Sequence, residues 1–264
     1  GVWALRSWLS RHRPDVVNTH SSTDSWLAAL ACRLLRRPPP LVRTRHISAA
    51  IPDNAATRWL YQKATGHIAT TGEKLRHQLI AENGYPAEHI TSVPTGIDTG
   101  HFVPGDPAAA RAQLGLQQDG QIIGIVATLR SWKGHQYLLE AFARLARTDA
   151  RLLIVGDGPR RAAIEQEMTR LGLSDRVIMP GNQADVLPWL QAMDVFVLPS
   201  YANEGVPQAI LQAMLCALPV ITTHVGSIGE AIQHEHTGLV VPTRDPQALA
   251  AAIVRLLDDA ALRN

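Results

Sequence analysis

Only two cysteines, Cys32 and Cys216, occur in 264 residues. Both lie in helix-like apolar stretches, Leu27–Leu35 and Ala209–Ala217, and neither spacing suits a metal site. Two unpaired, buried thiols in a reducing compartment are expected. No apolar run is long enough to cross a bilayer as a helix. Aromatics make up only 5% of the chain and interleave with no basic run, which argues against nucleic acid as a partner. No Asp-x-Asp triplet occurs, so no acidic holder for a divalent ion stands out. Charge is sparse at 18% and apolar content is 46%, which excludes a disordered chain and predicts a packed globular one.

The small net charge of +2 is unevenly spread. Residues 1–100 hold 12 Lys and Arg against 7 Asp and Glu, whereas residues 101–264 hold 13 against 16. A basic N-terminal half fits either ordinary surface variation or a lobe that faces an anionic acceptor or an anionic lipid surface. The chain opens inside one helix-like pattern, Trp3-Ala4-Leu5 to Trp8-Leu9, and closes in another, Asp258–Asn264. A fragment cut at both ends is expected.

Apolar runs alternate with helical patterns throughout. The expected strands are Val16–Asn18, Leu41–Thr44, His67–Thr70, Ile90–Val93, Gln121–Thr128, Arg151–Val155, Val177–Met179, Val195–Leu198, Val220–Thr222 and Leu239–Val241. Expected helices include Ser25–Leu35, Gly72–Asn83, His135–Arg147, Pro159–Leu171, Val206–Cys216 and Pro246–Leu257. Strands that are apolar and β-branched on both faces, separated by helices, predict an α/β protein with covered parallel sheets. Right-handed crossovers make these Rossmann-like units. The alternation breaks near residues 94–120, where Pro104, Gly105, Asp106 and Pro107 read as a linker. Two domains follow, residues 1–104 and 105–264, the first with too few strands to complete a Rossmann lobe.

Chemistry concentrates in the second half. The strand Ile122–Leu129 leads into Arg130-Ser131-Trp132-Lys133-Gly134. Arg130 and Lys133 thus stand at the carboxyl end of a strand, where ligands of open α/β sheets bind, and two cations there can clamp a diphosphate. Leu153-Ile154-Val155-Gly156-Asp157-Gly158-Pro159 is a strand followed by a tight turn that its glycines permit. Asp194–Ser200 is a strand leading into Glu204-Gly205-Val206-Pro207-Gln208 and a helix. A helix entry gathers anions through free N–H groups and the macrodipole. Gly226-Ser227 offers backbone N–H groups or a simple turn. In the first half His20 ends a strand, and the tract from His20 to Ser25 suits a helix cap. Thr44-Arg45-His46 follows another strand of the basic half. His234 and His236 lie two apart near a turn, with no further ligands converging by spacing.

In this order the segments resemble the retaining glycosyltransferases of family 4, which have the GT-B fold. The resemblance runs through Asp15-Val16-Val17-Asn18-Thr19-His20, Val93-Pro94-Thr95-Gly96-Ile97-Asp98, the Val155–Pro159 turn, Pro199-Ser200 and the Glu204–Gln212 segment, and it covers nearly the whole chain. It implies two Rossmann-like lobes facing a cleft, the first incomplete in this fragment, with a nucleotide-sugar donor held mainly by the second. Arg130 and Lys133 would hold the diphosphate, and Glu204 would contact the donor sugar. Gln212 would meet the ribose, and the backbone near Gly156 and Gly205-Val206-Pro207 would contribute to donor binding. His20 would lie near the donor sugar from the opposite lobe. The implied reaction is metal-independent sugar transfer with retained configuration, to a polysaccharide, lipopolysaccharide or lipid-linked acceptor in bacterial envelope synthesis. No further cofactor is implied. The implied place is the cytoplasm or the inner face of its membrane.

Three departures qualify the match. Gln212 stands where the family has a second glutamate. Thr128 stands where the family has its usual arginine, five residues before Lys133, and Arg130 is expected to substitute because side chains two apart in an extended segment share a face. The family's early glycine-rich loop is absent. Two other readings remain: another GT-B enzyme such as a nucleotide-sugar epimerase, and a non-catalytic nucleotide-sugar binder.

Overall fold

A computed structural model describes residues 1–263. The chain divides into two compact units. The first comprises Gly1–Thr95 with Asn203–Val206, and the second comprises Gly96–Ala202 with Pro207–Asn264.

The first unit runs α1 (Val2–His12), β1 (Val17–Thr19), α2 (Ser22–Arg33), β2 (Leu41–Arg45), α3 (Ala55–Trp59), β3 (His67–Thr70), α4 (Glu73–Asn83) and β4 (Ile90–Ser92). Its four strands pair in parallel in sequence order, β1-β2-β3-β4. Leu41, Ile68 and Ile90 from the sheet pack with Ala28, Leu60, Tyr61 and Leu79 into one core. Ser21 and Asp24 form a reciprocal capping box that starts α2, as the polar tract before it suggested.

The second unit runs α5 (Pro107–Leu114), β5 (Ile122–Val126), α6 (His135–Ala143), β6 (Arg151–Val155), α7 (Arg161–Arg170), β7 (Val177–Gly181), α8 (Leu187–Gln191), β8 (Val195–Leu198), α9 (Gln208–Leu215), β9 (Val220–Thr223), β10 (Leu239–Val241) and α10 (Pro246–Asp258). Its six parallel strands lie in the order β10-β9-β8-β5-β6-β7. This is the doubly wound Rossmann order, in which the chain builds outward from β5 and then reverses at β8. Central strand β8 is buried along its whole length, at Val195, Phe196, Val197 and Leu198. Helices cover the sheet to form a second, larger core.

All ten expected strands are present, with ends displaced by at most two residues. Helices differ more. α6 ends at Ala143 rather than Arg147, because the chain tightens there: Arg144 and Leu145 donate to the carbonyls of Ala141 and Phe142, three residues back. α9 begins at Gln208 rather than Val206. Pro207 is its N-cap, with extended backbone, and the residue before a proline is driven out of the helical region. The Pro/Gly cluster expected as a linker leads straight into α5: Asp106 caps the Ala108 N–H at 3.0 Å, and Pro107 fills the first turn.

One ion pair, between a buried arginine and a half-buried aspartate, fastens α5. Arg111, 6% exposed, donates to Asp194 at 2.7 Å and to the carbonyls of Ala192, Gln118 and Gly120. Asp194 accepts the Ile122 N–H as well, at 2.7 Å, so one carboxylate pins α5 and the start of β5 at the entrance to β8. Both cysteines are free and buried, and burial pushes the Cys216 thiol up to about 11. No helix among the described residues is long and apolar enough to cross a membrane.

Candidate functional site

In the second unit the reversal of strand order opens a crevice between the carboxyl ends of β5 and β8, the usual ligand position in this topology. Arg130 and Lys133 follow β5, and Ser200 follows β8. Three glycines let these loops close on one another. A Cβ on Gly134, whose φ is 78°, would sit 2.1 Å from the Pro199 carbonyl oxygen. One on Gly156, φ 131°, would sit 2.1 Å from the Ala127 oxygen, and one on Gly158 would sit 2.8 Å from Leu129 backbone. Gly156 is therefore demanded by backbone packing between the β5 and β6 loops. The same loops are tied by Leu129 N–H to the Asp157 carbonyl at 3.0 Å and Tyr201 N–H to the Trp132 carbonyl at 2.8 Å.

Arg130 is exposed, with its guanidinium 5.8 Å from the centre of the Trp132 ring. The strand has already ended at Val126, and Arg130 N–H turns back to the Thr128 carbonyl at 2.7 Å, so this stretch is a turn rather than an extended segment. Even so, Thr128 and Arg130 both face out on either side of the fully buried Leu129. Next to Lys133, His135 starts α6 at 3% exposure. Burial first, and then the Lys133 cation, push its pKa down to about 4.

Gln212 and the Pro207 cap belong to the second unit, whereas Glu204, Gly205 and Val206 belong to the first. Glu204 is 4% exposed and lies in the loop before α9, outside its first turn, which holds no acidic residue. The expected placement of this carboxylate on the helix N-terminus is thus corrected by Pro207. Gly205 packs tightly within the first unit: a Cβ there would meet Thr71 Oγ1 and the His46 carbonyl oxygen, the latter at 2.6 Å.

His20 lies at the end of β1 in that unit, its N–H held by Asp24 at 3.0 Å. Its Nδ1 is 2.9 Å from Nε2 of His46, and the two rings stack with centroids 5.2 Å apart. Burial, and then proximity to His20, hold the His46 pKa below the ordinary histidine value. His20 and His46 line a cavity of about 500 Å³ together with Ser21, Arg43, Arg45 and Tyr61. Arg43, Tyr61 and the pairing of His46 with His20 were not picked out from the sequence. For Arg43 the signal lies in the alternation of β2, where Leu41, Arg43 and Arg45 share a face.

The family described as "Glycosyl transferases group 1" matches residues 120–259, and "Glycosyltransferase Family 4" matches residues 1–101. The chain belongs to the group 1 glycosyl transferases. Among curated relatives, the D-inositol 3-phosphate glycosyltransferase of Frankia alni is 31% identical over 93% of this chain and 67% of that protein. The enzyme of the same name from Geodermatophilus obscurus is 30% identical over 94% of this chain and 61% of its own length. The chain thus spans about three-fifths to two-thirds of these relatives. Among solved structures, Anabaena HepE in complex with UDP and glucose superposes with a TM-score of 0.88 at 24% identity, covering 99% of this chain and 73% of HepE. Sucrose-phosphate synthase from Thermosynechococcus elongatus gives 0.82 at 26%, covering 99% and 69%. The parallel α/β architecture is that of GT-B glycosyltransferases.

Proposed function

We propose that this chain is the donor-binding part, and some of the acceptor-binding part, of a retaining glycosyltransferase that moves a sugar from a nucleotide-diphosphate donor to a hydroxyl acceptor. The observation that carries this reading is the pair of loops at the strand-order reversal. A basic loop, Arg130 to Lys133, follows β5, and the Ser200–Gln212 connection with its buried Glu204 follows β8. Arg130 and Lys133 take the diphosphate and stabilise it as it departs. Glu204 contacts the donor sugar, with the backbone of Gly205, Val206 and Pro207 beside it. Gln212 meets the ribose, where an amide can still donate and accept. His20 acts at the donor sugar. With no carboxylate assigned as a covalent nucleophile, the leaving diphosphate takes the acceptor proton on the face it departs from, and rate comes from positioning and charge stabilisation. HepE, named in complex with UDP and glucose, supports a uridine-diphosphate sugar as the first donor to try.

The acceptor is a polysaccharide, a lipopolysaccharide or a lipid-linked glycan, met in the cytoplasm or at the membrane surface. A second reading, a small polyol acceptor, is favoured by the relatives named for D-inositol 3-phosphate. The test is transfer from a panel of UDP, GDP and ADP sugars. Glu204→Ala should lower transfer by about a hundredfold or more and leave UDP binding in place, because the diphosphate contacts lie elsewhere. Near wild-type transfer by this variant would remove the assignment.

A further inference from the structure

Arg43 occupies a position that a folding chain normally gives to an apolar side chain. It shares the inner face of β2 with Leu41, which is 2% exposed, and is itself 4% exposed. A guanidinium keeps its proton, so this charge is permanent, and a buried charge without a counter-ion is costly. Its protein partners are weak. Nη1 donates to the Ser21 carbonyl at 3.4 Å, and the guanidinium carbon lies 4.6 Å from the centre of the Tyr61 ring. Arg45, two residues on, spends its Nη groups on neutral oxygens: the Tyr61 hydroxyl at 3.2 Å and the carbonyls of Ile47 and Ala49 at 3.2 and 2.6 Å. The Nε of each arginine is buried with no hydrogen-bond partner.

Both arginines wall the cavity of about 500 Å³ described above, a volume in the range of small-molecule sites. None of the residues lining it is acidic, while His20, His46 and the Ser22 hydroxyl add further donors. The acids nearest in sequence are committed elsewhere: Asp53 to Arg58, and Asp24 to the N–H groups of His20 and Ser21. The cavity therefore presents two fixed positive charges and no compensating negative one, in the fork geometry that suits planar or tetrahedral oxyanions.

We propose that this cavity binds the anionic group of a small polar ligand, a phosphate monoester or a carboxylate, with Arg43 and Arg45 as its cationic wall. Assigning that ligand as the sugar acceptor rests on the glycosyltransferase reading; the anion site itself does not.

Calorimetry on the chain under saturating UDP, which fills the diphosphate site, tests this with inorganic phosphate, glycerol 1-phosphate and glycerol. Phosphate and glycerol 1-phosphate should bind, and glycerol should not. Arg43→Met should weaken phosphate by about tenfold or more, leave UDP affinity unchanged, and leave the ligand-free melting temperature unchanged or raised, since it removes a buried charge that has no counter-ion. A melting temperature that falls, with phosphate affinity intact, would overturn the proposal and leave Arg43 a packing residue for Tyr61. If Arg43→Met does not fold, Arg45→Gln must show the same loss of phosphate affinity. Co-sedimentation with phosphatidic acid vesicles, abolished by Arg43→Met, assigns the anion to a lipid headgroup; binding of glycerol 1-phosphate alone assigns it to a soluble ligand. Phosphate binding without UDP binding defeats only the glycosyltransferase reading. UDP binding without phosphate binding defeats only this proposal.

Discussion

Arg111 and Arg43 are buried to nearly the same degree, 6% and 4% exposed, in different units. Arg111 is answered from within the protein, by the Asp194 carboxylate and three carbonyls. Arg43 has one long hydrogen bond to a carbonyl and the face of an aromatic ring. The first arginine is part of the scaffold and holds α5 against the start of β5 and β8. The second is surrounded as a binding group would be, with its charge directed at a cavity. The difference teaches that burial alone does not mark a functional cation; what matters is whether the fold already supplies the opposite charge.

The comparison can be broken by making Arg111 resemble Arg43. Asp194→Ala strands Arg111 and frees the Ile122 N–H, and should cost about 3–5 kcal/mol of stability, read from urea unfolding at neutral pH. A loss below about 1 kcal/mol would mean that the pair behaves as a surface pair and the contrast fails.

A second test concerns proton linkage at the buried His135 of the second unit. Its folded pKa of about 4 lies below the unfolded value of about 6.5. Between these two values the unfolded chain holds the proton and the folded chain does not. Stability should therefore be full above about pH 6.5 and decline toward pH 4, by roughly 3 kcal/mol in all. Urea unfolding across that window measures the decline, and His135→Phe should flatten it. An unchanged slope in the variant would place the titration elsewhere.

The smallest effect separates capping from anion binding in the first unit. Ser21→Ala removes the α2 cap and should cost about 1 kcal/mol in thermal unfolding. It should leave phosphate affinity nearly unchanged, because Arg43 meets the Ser21 carbonyl and not its hydroxyl.

The strands of both sheets could be read because parallel strands covered on both faces are continuous apolar runs, as Ile122–Val126 and Val195–Leu198 show. α5 was hidden by its own start signal: Asp106-Pro107 is a cap and a first turn, and the same residues also suit a linker. α3 continues into a π-helical turn, Leu60–Ala64, which blurs the helical period. Of the site, the basic loop after β5 and the segment after β8 could be located from chain order alone. The reason for Gly156 could not, since it depends on the Ala127 carbonyl reached only in the folded chain. Nor could the state of Arg43, because Val-Arg-Thr-Arg fits an exposed basic strand as well as a buried one. Telling them apart requires knowing what packs against Tyr61.

The first unit owns a tetrapeptide, Asn203–Val206, whose flanking residues on both sides belong to the second. The backbone therefore passes from one unit to the other three times, at 95–96, 202–203 and 206–207. In evolutionary terms the halves are not freely interchangeable cassettes. A gene fusion joined at Thr95–Gly96 would bring a foreign Gly205 to the His46 carbonyl and Thr71 hydroxyl of its new host, so the two halves must change together at these few positions.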